Sequence, residues 1–286
     1  MSGYEGPGLE PDSACGLQPG AWSLMSLSSY LDFATNAAWA AGQSTLAHFQ
    51  TGVAVEHKAD RSPVTVADRG AERMLRGLIA ARFPEHVVLG EEYGQDDRRS
   101  SHRWVLDPID GTQSFIRGVP LYGVLVALEI EGVPRVGVCH FPALKETFAA
   151  ASGLGCWWNG RRAGVSGTNR LSDAAVGYSD SRMLADRLGA RLPVLHQSVR
   201  LLRGWGDCYG HCLVASGRLD AMLDPAMNPW DCCALVPILQ EAGGAFTDWT
   251  GAPRIDGGDA FSTNGALHEE LRALLSVGAQ DEERSS

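Results

Sequence analysis

Two aspartates within residues 104–115, WVLDPIDGTQSF, have the type and spacing of a cation site. Asp107 ends an apolar run and precedes a proline, and Asp110 precedes a glycine. An Asp-Gly pair also signals a β-hairpin turn, which would explain Asp110 but not Asp107. Because proline favours an extended bend, both carboxylates and the carbonyl of Ile109 can converge on one point. Mg²⁺ prefers such oxygen ligands, and this segment alone leaves both interpretations open.

Four further acidic residues, at three sites, have a structural and a chemical interpretation. Glu91 and Glu92 follow the apolar run 87–90, where α/β proteins often place functional groups, but for an isolated Glu-Glu pair an exposed acidic loop is the favoured interpretation. Asp68 fits the third position of a helix capping box. Asp231 fits the first turn of another helix, where a negative charge favours the helix dipole. Taken one at a time, none of these positions requires a metal.

Composition excludes several classes of function. The chain has 286 residues and a formal net charge of −10, which argues against a nucleic-acid partner, because phosphate backbones need stripes of Lys and Arg. No apolar run is long enough for a membrane span, and the first residues lack the basic and apolar regions of a secretory signal. We therefore expect a cytoplasmic protein with no membrane partner.

The cysteines have two interpretations. There are seven, an odd number, in apolar contexts, which is typical of reduced thiols in a core. Cys208, His211 and Cys212, with Cys232 and Cys233 further on, could instead hold a metal. Their spacing is not that of paired zinc knuckles, so the core interpretation is favoured.

The elements that position these residues alternate between helices and short strands, which predicts an α/β layered fold with two lobes. Strands from residue 103 onward follow one another with short turns, which predicts an antiparallel meander. We expect a first helix capped at Ser28, and one continuous helix over residues 229–244. The predicted organisation is a disordered Gly/Pro/Ser-rich extension at 1–21, an N-terminal α+β lobe at 22–168 and a C-terminal α/β lobe at 169–286, with the Gly-rich passage 153–170 spanning the boundary.

Taken together, the motifs resemble those of the inositol monophosphatase-like superfamily of Mg²⁺-dependent, lithium-sensitive phosphatases. The matching segments are GEE at 90–92, WVLDPIDGTQSF with the Gly and Pro up to 120, and PWDCCALVPILQEAGG at 229–244. KADRSPVTVAD at 58–68 resembles the family's upstream segment, and the order holds from about residue 28 to about residue 275. The resemblance implies an αβαβα sandwich with the active site between two lobes.

The same resemblance implies roles for individual residues. About two to three Mg²⁺ ions would be held by Glu91, Asp107, the Ile109 carbonyl, Asp110 and Asp231. The residues implied to act in catalysis, by orienting and deprotonating a water, are Asp68, Thr112 and Glu91. Backbone N–H groups of Gly111 and Thr112 would hold the phosphate oxygens.

Residues 203–231, RGWGDCYGHCLVASGRLDAMLDPAMNPWD, resemble the histidinol-phosphate phosphatase branch of this superfamily. Inositol phosphatases usually carry a small apolar residue where this chain has Asp207, and a carboxylate can pair with the ammonium of histidinol phosphate. Asp224, Arg203 and Asn228 are further substrate-binding candidates. Asp224 before proline could instead form only a turn, and Arg203 could pair only with a surface acid.

The expected protein is a hydrolase of a small phosphate monoester, L-histidinol phosphate, in histidine biosynthesis. A phosphatase for inositol monophosphate or another sugar phosphate is the alternative within enzymes. Some relatives of the family serve as non-catalytic assembly factors, but every catalytic position that could be matched is present here. The family often forms dimers, so a homodimer is expected.

Overall fold

A computed structural model describes residues 26–59 and 61–276, so the predicted disordered extension 1–21 lies outside the described residues. The α-helices of this part, in chain order, are α1 Leu27–Leu46, α2 Val66–Arg82, α3 Thr112–Ile116, α4 Ser181–Leu188, α5 Leu192–Ser198, α6 Asp207–Ala215, α7 Pro229–Cys232, α8 Leu235–Glu241 and α9 His268–Ser276. Two 3₁₀ helices cover Leu171–Asp173 and Gly189–Arg191. No helix among the described residues is both long and apolar enough to cross a membrane.

The strands of the described part are β1 Val55–His57, β2 Pro63–Thr65, β3 Val87–Gly90, β4 Gly94–Gln95, β5 His102–Asp110, β6 Gly123–Ile130, β7 Val133–Phe141, β8 Glu146–Ala151, β9 Gly155–Trp158, β10 Arg161–Arg162, β11 Ala175–Tyr178, β12 Leu201–Gly204, β13 Ala221–Asp224, β14 Ala245–Thr247 and β15 Ala260–Thr263. They form a hairpin of β1 and β2, an eight-stranded sheet ordered β10-β9-β8-β7-β6-β5-β3-β4, and a five-stranded sheet ordered β12-β11-β13-β15-β14. Each neighbouring pair from β5 to β10 is antiparallel, so the predicted meander is confirmed.

The layers follow from the faces that each element buries. Helices α1 and α2 pack on the outer face of the large sheet around Leu75, Trp104 and Val126. Between the two sheets, α6 and α8 bury Leu213 and Leu235 against residues of both. Helices α4, α5 and α9 cover the outer face of the small sheet. The result is a layered α/β fold, and the order of its layers is that of the αβαβα sandwich which the family resemblance implies.

Helix α1 approaches the large sheet closely because its buried face is made of small residues. Ala34, Ala38, Ala41 and Gly42 recur at helical spacing, and the three alanines are fully buried. The helix begins after Ser26, whose hydroxyl accepts the N–H of Ser29 at 3.3 Å. The predicted cap at Ser28 is therefore wrong by two residues, because the serine outside the helix has the extended backbone that a cap needs.

The single helix predicted over residues 229–244 is also wrong. The chain forms α7 and α8 with a turn at residues 233–234 between them. Pro237 has no N–H to donate to the carbonyl of Cys233, so a continuous helix would lose that bond. Restarting the helix at Leu235 places Pro237 in a first turn, where its missing N–H costs nothing.

Candidate active site

Three carboxylates meet at one edge of the space between the sheets. Asp107, Asp110 and Asp231 each offer an oxygen atom, and these atoms all lie within 4.8 Å of one another. Among the described residues, this is the only group of three or more acidic, histidine or cysteine side chains that is close enough to hold one metal ion. Two of the three come from WVLDPID and the third from a helix far along the chain.

The end of β5 explains why Asp107 and Asp110 point to one place. Asp107 pairs with Leu125 and Asp110 with Gly123, and the register shifts between these two pairs. Pro108 has no N–H to donate to the hydrogen-bond ladder between β5 and β6. Prolines within strands are typically found at such register shifts. Oδ1 of Asp107 accepts the N–H of Ile109 at 3.0 Å and fixes the bend.

Asp110 is not part of a tight hairpin. Gly111 follows it with a left-handed φ of +83° and caps α3, and the chain returns to β6 only after that helix. The hairpin interpretation of Asp110-Gly111 is therefore wrong. A Cβ at Gly111 would lie 2.9 Å from Oδ2 of Asp207 and 3.1 Å from the carbonyl of Leu121, so both space and φ require glycine.

Asp231 reaches the cluster from the first turn of α7. Its Oδ2 accepts the N–H of Asn228 at 2.7 Å, and Pro229 opens the helix, so the predicted cap and first position are confirmed. One carboxylate oxygen of Asp231 lies within 4.8 Å of one of Asp107. The helix cap thus orients the same carboxylate that completes the cluster.

Glu91 follows β3, the parallel neighbour of β5, and its charge acts on Asp107. Nζ of Lys58, in the β1–β2 hairpin, contacts Oε1 of Glu91 at 2.7 Å and Oε1 of Glu92 at 2.6 Å. Lys58 begins the matched KADRSPVTVAD segment, but the sequence alone did not predict its contact with these two glutamates. The buried carboxylate of Glu72 also accepts the N–H of Glu92, at 2.7 Å, and so holds this loop.

Burial and mutual repulsion raise the pKa values of the whole cluster. Burial, with Glu91 and Asp110 nearby, holds the pKa of Asp107 well above its usual range. Burial, with Asp207 and Asp231 nearby, does the same to the pKa of Asp110. Burial raises the pKa of Glu91 to about 7, although the hydrogen bond from Lys58 lowers it. Gathering these carboxylates without cations is unfavourable, and their oxygen-only chemistry fits Mg²⁺.

One carboxylate oxygen of Asp68 accepts hydrogen bonds from the described residues and the other does not. Oδ2 accepts the N–H of Thr65 at 2.8 Å and its hydroxyl at 2.6 Å, so the predicted capping box is confirmed. Oδ1 is buried and has no hydrogen-bond partner among the described residues. Burial raises the pKa of Asp68 above its usual value. Thr112, the first residue of α3, donates its hydroxyl to the carbonyl of Ile109 at 3.1 Å.

A cavity of about 440 Å³ opens beside the cluster and is lined by residues from both sheets. Asp110 and Asp231 lie on its wall with Asp207 and Asp224. Burial, then the charges of Asp231 and Asp180, raise the pKa of Asp207 to about 6. Burial holds the pKa of Asp224 well above its usual range, and its Oδ1 accepts the hydroxyl of Ser179 at 2.7 Å.

Four of the six predicted substrate-binding residues do not line this cavity: Gly111, Thr112, Arg203 and Asn228. Arg203 is exposed on β12, and Asn228 is exposed at the cap of α7. Their roles stay predictions. Ser179 and Asp180 line the cavity and were missed, because they follow β11 at a distance in sequence from every motif.

The cysteines of the described part lie in the core. All six are buried, and His211 beside them bonds through Nδ1 to Ser262 Oγ at 2.8 Å. The core interpretation of the CYGHC segment therefore agrees with the structure. A larger cavity of about 560 Å³ lies behind α7, but an ion pair of Arg103 with Glu129 lines it, and the carboxylate cluster does not.

This chain has a layered αβαβα fold with a carboxylate cluster between its two sheets. Both features are those of the αβαβα class of phosphatases. The profile of the inositol monophosphatase family matches residues 26–278. The chain therefore belongs to the inositol monophosphatase family.

Individual relatives agree with this membership. The histidinol-phosphatase of Chlorobaculum parvum is 44% identical over 255 residues, which cover 88% of this chain and 98% of the relative. The histidinol-phosphatase of Mycobacterium tuberculosis is 38% identical over 78% of this chain and 88% of its own. The crystal structure of the extragenic suppressor protein suhB of Bartonella henselae superposes with a TM-score of 0.81 at 29% identity, over 87% of this chain and 99% of that one.

Proposed function

We propose that the protein is a Mg²⁺-dependent phosphatase that hydrolyses L-histidinol phosphate to L-histidinol and phosphate. The observation that carries the substrate is the carboxylate of Asp207, which lines the cavity beside the cluster of Asp107, Asp110 and Asp231. A phosphate bound at the cluster would place a nearby ammonium within reach of Asp207. The two histidinol-phosphatase relatives support the same substrate.

The proposed cation ligands are Glu91, Asp107, the carbonyl of Ile109, Asp110 and Asp231, for about two to three Mg²⁺ ions. The raised pKa values of the carboxyl groups support this set, because each ionised group needs a cation to offset burial and repulsion. When bound, Mg²⁺ neutralises phosphate oxygens and lowers the pKa of a bound water.

Asp68 and Thr112 are proposed to orient and deprotonate the attacking water, with Glu91 assisting. The buried Oδ1 of Asp68 has no partner among the described residues and can accept a proton. Its raised pKa moves Asp68 toward the range in which a general base works well near neutral pH. The Thr112 hydroxyl can keep its bond to the Ile109 carbonyl while its oxygen accepts from the water.

The backbone N–H groups of Gly111 and Thr112 are proposed to hold phosphate oxygens. Glycine at position 111 lets the backbone approach closely, because a side chain there would meet Asp207 and Leu121. The water oxygen attacks phosphorus, the bond from phosphorus to the ester oxygen breaks, and the alcohol leaves after gaining a proton. No covalent phospho-enzyme is required.

The leaving group is proposed to be recognised by Asp207, with Asp224 behind it. With a pKa of about 6, Asp207 is mostly ionised at neutral pH and can pair with an ammonium. Asp224 is held by Ser179 and has a strongly raised pKa, so it suits a hydrogen bond better than an ion pair.

A phosphatase for inositol monophosphate is the second candidate, because the family profile that matches the chain carries that description. Phosphate release from histidinol phosphate and inositol monophosphate, with Mg²⁺ and with EDTA, separates the two. We expect Mg²⁺-dependent release with a clear preference for histidinol phosphate. Preference for inositol monophosphate would overturn the proposed substrate, and equal release in EDTA would overturn the proposed cation. A homodimer, which the family resemblance implies, is tested by sedimentation.

A further inference from the structure

A second, apolar cavity adjoins the active site. It has a volume of about 330 Å³ and its walls are Leu121, Trp205, Tyr209, Leu213 and Arg218. Leu121 also lines the active-site cavity. Gly204 and Gly206, the neighbours of Trp205 in the chain, line the active-site cavity as well. Trp205 itself is 37% exposed, so part of its ring is open to a ligand.

Contacts with neighbouring side chains hold two of the lining residues, Arg218 and Tyr209, which we call the floor of the apolar cavity. The guanidinium of Arg218 lies 4.2 Å from the centre of the Trp158 ring and pairs with Glu146 at 3.1 Å. The Tyr209 ring packs edge-on against Phe141, with 5.0 Å between ring centres. These contacts fix the floor before any ligand arrives, which lowers the entropic cost of binding.

Asp207 lies close to Leu121, the residue that the two cavities share. A Cβ at Gly111 would touch both the Asp207 carboxylate, at 2.9 Å, and the Leu121 carbonyl, at 3.1 Å. Asp207 and Leu121 are therefore close neighbours around one point. The active-site cavity, which has Asp110, Asp207 and Asp231 on its wall, and the apolar cavity share Leu121.

We propose that the apolar cavity receives a planar ring carried by the leaving group, and that Trp205 is the residue that selects for it. This inference rests on the proposed function. The substrate class is then a phosphate ester of an amino alcohol that bears an aromatic ring. In histidinol phosphate the carbon with the ammonium lies between the ester carbon and the methylene that carries the imidazole, so an ammonium at Asp207 leaves the imidazole free to enter the neighbouring cavity. A polyol ring would bury hydroxyls against apolar walls, which is unfavourable.

The test compares three esters in the presence of Mg²⁺: histidinol phosphate, phenylalaninol phosphate, which keeps the ammonium and a ring, and aminoethyl phosphate, which keeps only the ammonium. We expect kcat/KM of the wild type to be higher for both ring esters. Trp205→Ala should reduce kcat/KM for the ring esters about tenfold more than for aminoethyl phosphate, which is the range of an aromatic pair. Trp205→Phe should retain most of the preference, because it keeps a flat ring.

Trp157→Ala is the matched control. Trp157 is 40% exposed, on β9, and lines neither cavity, so its removal should leave all three values unchanged. A wild type that hydrolyses histidinol phosphate no better than aminoethyl phosphate would overturn the ring site and leave the phosphatase standing. An equal loss of kcat/KM for all three esters in a folded Trp205→Ala variant would also overturn the ring site and leave the phosphatase standing. Mg²⁺-dependent hydrolysis of inositol monophosphate alone would instead overturn the proposed function, and the ring site with it.

Discussion

The backbone N–H of Cys208 donates a 2.6 Å hydrogen bond to Oδ2 of Asp110. Asp110 ends β5 of the large sheet, and Cys208 lies in the first turn of α6, which packs against the small sheet. The bond joins the two sheets at the active site. It also fixes Asp207, the preceding residue, beside the carboxylate cluster.

Asp107→Asn should abolish Mg²⁺-dependent hydrolysis while preserving the fold. Asp107 is buried at the centre of the cluster, so its charge can be removed without a change in shape. We expect kcat/KM to fall at least about 100-fold, since even outer-shell partners of a metal are worth that much. Thermal unfolding should show a rise in Tm with Mg²⁺ for the wild type and none for the variant.

Asp186→Asn is the control for that substitution. Its side chain is 75% exposed on α4, where its contact with Arg182 is long at 3.9 Å. Activity and the Mg²⁺ effect on Tm should match the wild type. Full Mg²⁺-dependent turnover in Asp107→Asn would refute the assignment of the cluster as the cation site.

Gly111→Ala should inactivate the enzyme. The residue has a left-handed φ and its Cβ would press on Asp207 and on the Leu121 carbonyl. We expect a loss of about 100-fold in kcat/KM, which is the cost of a displacement of about 1 Å in a catalytic site. Gly132→Ala has a φ of +75° and open space around the new Cβ, so it should lose about 1 kcal/mol of stability and no activity. Equal activity in the two variants would contradict the role given to this turn.

The metal-free protein should lose stability as pH rises through neutrality. The folded pKa of Glu91, about 7, lies above its ordinary value of 4.5, and that of Asp207, about 6, lies above 3.8. The contribution of these two groups to the free energy of unfolding is therefore fully present below their ordinary pKa values. It is lost as the pH rises through their pKa values in the folded protein. For Glu91 the loss is on the order of 3 kcal/mol at most.

Thermal unfolding in EDTA at about pH 5 and about pH 8 measures this change. We expect a lower Tm at the higher pH, and a smaller difference in Asp207→Asn. Saturating Mg²⁺ should reduce the fall, because it binds the ionised carboxylates. A Tm in EDTA that rises over this range would show that the cluster is not destabilised by its own charges.

Most of the fold could be predicted because its signals are local. Apolar alternation and short turns specify the meander from β5 to β10, and Asn228-Pro229 specifies the start of α7. The end of α7 was missed because the pattern stays helical through residue 233, and only the N–H missing at Pro237 interrupts it.

The site was predictable only in part. The bend that joins Asp107 to Asp110 is encoded within four residues, whereas the approach of Asp231 depends on how α7 packs against β5. The contact of Lys58 with Glu91 joins residues of separate elements, so no local spacing reveals it. The bond from Cys208 to Asp110 uses a backbone N–H, which any residue type supplies.

The measurement that most directly tests recognition by Asp207 compares two esters and two proteins. The esters are histidinol phosphate and its analogue without the amino group, and the proteins are the wild type and Asp207→Asn. Asparagine is the appropriate replacement because residue 207 has a φ of +56°, which asparagine tolerates better than alanine. With Mg²⁺ present, we predict that the substitution raises KM for histidinol phosphate about 100-fold and changes KM for the analogue little. An equal change for both esters would contradict the ion pair between Asp207 and the substrate ammonium.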